Sequence, residues 1–175
     1  HEALEVMQKA FLLNLDYPVT SVKAPAVPAI ARQPKLVWVD TGIMNFSVDI
    51  QAEYLQGNSL LDVWKGHAAE QIVAQELRIV LDRNFRNEQY YWVRDKKGSS
   101  AEVDFVWQHH SQILPIEVKS GTNAHLRSLH SFMSQPDAPS IAIRIWPGEY
   151  SIDEVVSPTG HPFRLINLPF YYVGI

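Results

Sequence analysis

The sequence predicts an α/β domain with a central sheet flanked by helices, and three observations carry that expectation. A proline-free stretch from residue 61 to about 83 repeats its apolar residues with a helical period. Three short segments rich in aromatic and branched residues follow, separated by polar turns. A second helical pattern and a further apolar segment complete the order helix, three strands, helix, strand.

Taken from the start, Leu4, Met7 and Phe11, with Val6 and Ala10, recur at helical spacing, and an apolar strand-like run over residues 12–17 ends at Pro18. Pro25, Pro28 and Pro34 make the next stretch a loop, and Lys35-Leu36-Val37-Trp38-Val39-Asp40 resumes a strand pattern. A helix and two strands around a long loop suggest the trailing half of a winged-helix-like unit, or a linker element, over residues 1–50, with the main domain over 51–175. In the long helix Ala69, Ile72, Val73, Leu77, Val80 and Leu81 share one broad face. Residues 89–94, 101–107 and 112–119 read as strands joined by hairpins. Leu126, Leu129 and Phe132 mark the second helix, and residues 140–145 another strand. Pro158 and Pro162 bracket a loop before Phe170-Tyr171-Tyr172-Val173, which reads as a final edge strand.

Composition excludes several classes. The 175 residues are 46% hydrophobic and 19% charged, as in a soluble globular protein, and no apolar run approaches the roughly 20 residues a membrane helix needs. There is no cysteine, which rules out disulfides, thiolate catalysis and cysteine-zinc sites and points to a cytoplasmic location. The net charge of −4 lacks the basic bias of an autonomous nucleic-acid binder. Contact with DNA would rest on a local patch, for which Arg94, Lys96 and Lys97 on a hairpin turn are the candidates, or on a partner. The opening His1-Glu2-Ala3-Leu4 has neither an initiator methionine nor a signal-peptide pattern, so the chain reads as a fragment.

Strand alternation puts Glu102, Asp104 and Val106 on one face and Val103, Phe105 and Trp107 on the other. In the next strand Glu117 and Lys119 share a face opposite Ile116 and Val118, so a hairpin brings Asp104 near both. Carboxylates gathered in a core are costly unless compensated, and a hard divalent ion such as Mg²⁺ or Mn²⁺ supplies the missing charge. Glu70 and Glu76 both fall within the apolar arc of the long helix; either can supply a third carboxylate, or can simply pair with a basic residue at the edge of the buried face. His109 and His110 sit in a turn, and His125 and His130 lie on poorly matched helix faces, so surface or capping roles are favoured over zinc ligation.

Lys65-Gly66-His67-Ala68-Ala69-Glu70, Glu102-Val103-Asp104 and Glu117-Val118-Lys119-Ser120 resemble the motif series of the PD-(D/E)xK restriction-endonuclease-like superfamily, archaeal Holliday-junction resolvases in particular. With Tyr91-Trp92 and the segment around Leu126 to Phe132, they also resemble a domain of unknown function at the C-terminus of bacterial and archaeal AAA-type ATPases. Ala3 to Ala10 and Lys35 to Gly42 resemble what precedes that domain. The resemblance implies an αβββαβ core around a mixed sheet, Asp104 and Glu117 as metal ligands, Glu70 as the helix carboxylate, Lys119 as the catalytic lysine, and an ATPase domain upstream of His1 in the same polypeptide. The proline that names the superfamily is replaced by Val103, and no Gly-x-x-x-x-Gly-Lys-[Ser/Thr] segment occurs here, so ATP binding of the P-loop type falls to that upstream domain. Two functions follow as expectations: a Mg²⁺- or Mn²⁺-dependent DNA phosphodiesterase, or a noncatalytic DNA- or protein-binding module that regulates the attached ATPase.

Overall fold

The computed structural model describes residues 2–49, 62–83, 88–121 and 125–174. Helix α1 (Glu2–Lys9) leads into a two-stranded antiparallel sheet of β1 (Leu13–Asp16) and β3 (Lys35–Trp38), in which Asp16 lies opposite Lys35. The apolar run over residues 12–17 is therefore interrupted: after Asp16 the chain steps sideways, and β2 (Pro18–Val19) pairs in parallel with β4 (Tyr90–Val93) at the edge of a larger sheet. A helix that the sequence pattern does not predict, α2 (Thr41–Ser47), starts where Asp40 accepts hydrogen bonds from the Gly42 and Ile43 amides at 2.7 and 3.2 Å. The expected domain boundary at residues 50–51 lies outside the described residues.

Helix α3 (Asp62–Arg83), strands β4, β5 (Glu102–His109) and β6 (Gln112–Val118), helix α4 (Arg127–Met133) and strand β7 (Ile141–Trp146) follow in the predicted αβββαβ order. The seven-stranded mixed sheet runs β2-β4-β5-β6-β7-β9-β8, its last two members being β8 (Ser151–Val156) and β9 (Pro162–Pro169). β5 pairs antiparallel with both β4 and β6, whereas β6, β7 and β9 run in parallel. The predicted edge strand at Phe170 is instead a 3-10 turn; the loop bracketed by Pro158 and Pro162 is a turn, and β9, for which the sequence pattern gives no strand, starts at its end. Phe163 and Leu165 show the alternation of a half-buried strand, but fully buried Asn167 occupies the next inward position and hides the pattern. Its amide nitrogen donates to Ser151 and Asp153 of β8, at 2.8 and 2.7 Å, while its Oδ1 is buried without a partner.

Helices cover both faces. Leu129, Phe132 and Met133 of α4 pack on Trp92, Val103, Ile113 and Ala142, with Trp92 and Phe132 edge to face at 5.1 Å. Ala69, Val73 and Ala74 of α3 pack on Phe105, Ile116, Val118 and Ile145. The buried stripe of α3 is thus centred on Val73, and Ile72, placed on the apolar face by the sequence pattern, is 43% exposed. The same helix holds the small sheet: the Gln71 amide exchanges two hydrogen bonds with the Trp38 backbone, at 3.1 and 2.6 Å, and Gln75 donates to the Val39 carbonyl at 2.7 Å. Two helix amides thereby complete the outer edge of β3. No described helix is long and apolar enough to cross a membrane.

Arg78 of α3 meets Asp16 of β1 at 2.7 Å. Burial raises the Asp16 carboxyl to about 6 despite the opposing pull of the guanidinium. Removing the guanidinium strands a buried carboxylate at pH 8 but leaves a neutral acid at pH 5. Arg78→Met is therefore expected to cost about 3 kcal/mol at pH 8 and distinctly less at pH 5, measured by urea unfolding at both pH values. An equal loss at both would show that the ion pair contributes nothing beyond packing.

Candidate functional site

The site is built on an irregularity in β5. Trp92 lies opposite Val103 and Tyr90 opposite Val106, so the single residue Tyr91 faces both Asp104 and Phe105. This is a β-bulge, which re-aims the side chains that follow it. Val103 and Val106, three apart, both enter the core beneath α4, while Phe105 enters the core beneath α3. Simple alternation grouped Val106 with Glu102 and Asp104; the bulge breaks that grouping and leaves Asp104 free of the apolar clusters.

The β5–β6 ladder begins at Phe105 opposite Ile116, so the two strands part beside Asp104. There its Oδ2 accepts the Val118 N–H at 2.8 Å, a carboxylate oxygen standing where a strand carbonyl would otherwise be. On β6, Ile116 and Val118 enter the core against α3, and alternation turns Glu117 out of that cluster. Glu117 is 3% exposed; Oε1 receives the Lys119 ammonium at 2.7 Å, and Oε2 is buried without a partner.

From α3, Glu70 completes the group. A residue from the N-terminal segment enters with it: Lys35 Nζ lies 2.7 Å from Glu102, 3.8 Å from Glu70 and 3.8 Å from Asp104, and 4.9 Å over the Tyr91 ring. Glu76, the other helix candidate, packs against Gly174 instead. The four residues singled out from the sequence, Glu70, Asp104, Glu117 and Lys119, are gathered in one charged centre. Lys35 was missed, and no local pattern could have found it, because its partners are remote in the chain.

Electrostatics follow from burial. Glu70 and Glu117 are each raised to about 7, first by burial and then by the charge of Asp104, with Lys35 pulling Glu70 down and Lys119 pulling Glu117 down. Asp104 is also raised by burial, against the pull of Lys35 and the Val118 amide. Burial works against the Lys35 ammonium, but Asp104, Glu102 and Glu70 together outweigh it and raise its pKa. An open cavity lined by Lys35, Glu70, Glu102, His67, Trp38 and Met44 gives solvent access to the centre.

Among the described residues no three acidic or histidine side chains close around one point. Mg²⁺ uses one or two carboxylates and keeps several waters, and Asp104 with the unpartnered Glu117 oxygen matches that demand. Arg94 lies elsewhere, lining a second open cavity with His125, Arg127 and His130, and Lys96 and Lys97 are exposed in their turn.

Residues 65–162 match the family described as Domain of unknown function (DUF4143). That segment runs from α3 into β9 and contains every residue of the centre except Lys35. No curated protein and no solved structure matches the chain.

The raised carboxyl of Glu117 has a measurable consequence. Between its ordinary 4.5 and about 7 the unfolded chain releases a proton that the folded chain keeps, so this group's contribution to stability is full below pH 4.5 and is lost as pH rises through 7. A glutamine side chain in its place cannot ionise. In metal-free protein, Glu117→Gln is expected to raise Tm at pH 8 by about 5 °C, the effect of ~2 kcal/mol in a domain of this size, and to change it little at pH 5. Differential scanning calorimetry with chelator at both pH values checks this, and a pH-independent effect would refute it.

Proposed function

The chain belongs to the DUF4143 family, and from that premise and the chemistry of its charged centre we propose that it is a nuclease-like domain, a Mg²⁺- or Mn²⁺-dependent phosphodiesterase acting on DNA. One observation carries the reading: a buried carboxylate pair, Asp104 and Glu117, with an unpartnered oxygen in a centre that also holds Lys119. The observed αβββαβ order and the resemblance to PD-(D/E)xK nucleases support it.

Asp104 and Glu117 would hold the ion, which supplies positive charge to offset the charge developing on the phosphate. The chain's own groups do the rest. The Val118 amide fixes the rotamer of Asp104. Lys119, held at 2.7 Å by Glu117, donates a hydrogen bond to the attacking water or to a phosphate oxygen and orients it. Glu70, with its carboxyl near 7, exchanges a proton at neutral pH and can accept one from that water, or can serve as a further oxygen ligand. Arg94, Lys96 and Lys97 are the proposed contacts to the DNA backbone. An ATPase domain ahead of His1 in the same polypeptide, implied by the resemblance of residues 3–10 and 35–42, would act alongside; an upstream reading frame without one overturns that part.

A second reading has its own observation. Lys35 and Lys119 already neutralise part of the acidic charge from within, as suits a noncatalytic DNA- or protein-binding module that regulates its ATPase. Two substitutions separate the readings. Asp104→Asn is expected to abolish Mn²⁺ binding by calorimetry and all cleavage of supercoiled, branched or single-stranded DNA. Lys119→Ala is expected to keep Mn²⁺ binding and lose cleavage by about 10²-fold or more. Absence of metal binding by the unmodified protein at millimolar Mn²⁺ would overturn the nuclease reading in favour of the binding module.

A further inference from the structure

Resting on the metal-centre reading, we infer that Lys35 occupies the second cation position of this centre, so that the protein takes one divalent ion and not two. Its ammonium lies among three carboxylates, 2.7 Å from Glu102 and 3.8 Å from both Glu70 and Asp104, which do not themselves close around one point. A second divalent ion among oxygen ligands needs that volume and those carboxylates. Lys119 makes its close ion pair with Glu117, at 2.7 Å, and Glu117 keeps one buried oxygen unpartnered. The centre is therefore divided into a filled half around Glu70 and Glu102 and a half with an uncommitted oxygen at Glu117.

Lys35 is not a stray surface charge. It sits on β3 opposite Asp16, and three residues on, the Trp38 backbone is clamped to α3 by both bonds of the Gln71 amide. Its ammonium also rests over the Tyr91 ring, and Tyr91 is the residue opposite the bulge that presents Asp104. The backbone that aims Lys35 is thus tied to α3, which supplies Glu70, and its ammonium rests on β4, the strand paired with the one that supplies Glu102 and Asp104.

Formal charge points the same way. Glu70, Glu102, Asp104 and Glu117 against Lys35 and Lys119 leave a charge of −2 when all are ionised, which a single divalent ion neutralises. Without Lys35 the balance is −3, which a single divalent ion no longer neutralises. The neutralising lysine lies outside the matched segment of residues 65–162, so the number of ions is set from the N-terminal element rather than by the nuclease-like core.

The test is Mn²⁺ stoichiometry on the full chain, by calorimetry and by electron paramagnetic resonance, in which two neighbouring Mn²⁺ ions show spin coupling and one does not. The unmodified protein is expected to bind one uncoupled Mn²⁺, Lys35→Gln two coupled ions, and Lys35→Arg one, the conservative variant restoring the block. One ion in both the unmodified protein and Lys35→Gln, with unchanged affinity, overturns this inference and leaves the nuclease reading standing. No ion in the unmodified protein overturns the nuclease reading, and this inference with it. Should Lys35→Gln fail to fold, the unmodified protein and Lys35→Arg still decide: two coupled ions in either overturns the proposal.

Discussion

Buried negative charge is the constraint on which the rest depends. Asp104 and Glu117 lie inside the fold where β5 and β6 part, with Glu70 and Glu102 beside them, and such a group cannot persist unless cations or protons answer it. Each neighbouring feature can be understood as part of that answer. Lys119 comes from the end of the same strand as Glu117, the Val118 amide turns to Asp104, and Lys35 arrives from a different sheet altogether. What remains uncompensated is expressed as carboxyls poised near neutrality. A group in that state takes either a proton or an ion, which is a chemical capability as well as a cost.

The requirement also explains why the N-terminal segment is bound so closely to the larger sheet. Its strand β2 joins the sheet edge, Asp16 pairs with Arg78, and Gln71 and Gln75 hold the outer backbone of β3. Together these contacts place one ammonium group to within hydrogen-bonding distance of Glu102. A loosely attached element would lose that ammonium to solvent, since an exposed lysine gains little from an ion pair.

Much of this was legible in the sequence, and the illegible parts share a cause. The αβββαβ order follows from periodicity within short windows, and the nearness of Asp104 to Glu117 follows from two strands joined by the tight turn at His110. Lys35 depends on contacts that span from residue 35 to residues 70, 102 and 104, where no local window reaches. The bulge depends on how β4 pairs with β5, and the residues of either strand alone do not announce it. Asn167 misled for another reason: a buried polar side chain whose amide nitrogen bonds across strands looks, in sequence, like a break in an apolar pattern.

The bulge at Asp104 and Phe105 makes the centre sensitive to a different kind of genetic change from the one a reader of active sites first considers. Because Tyr91 is matched with two residues, the strand holds one residue more than regular pairing requires. Substitutions in β5 leave that count intact, so the bulge persists while side chains around it drift. Loss of the Asp104 codon alone would instead leave Phe105 as the one residue between Val103 and Val106, restore regular pairing with the apolar faces preserved, and remove the carboxylate. A lineage could in this way keep the fold and abandon the chemistry in one deletion, so among relatives the length of this strand is as informative as the identity of its acid.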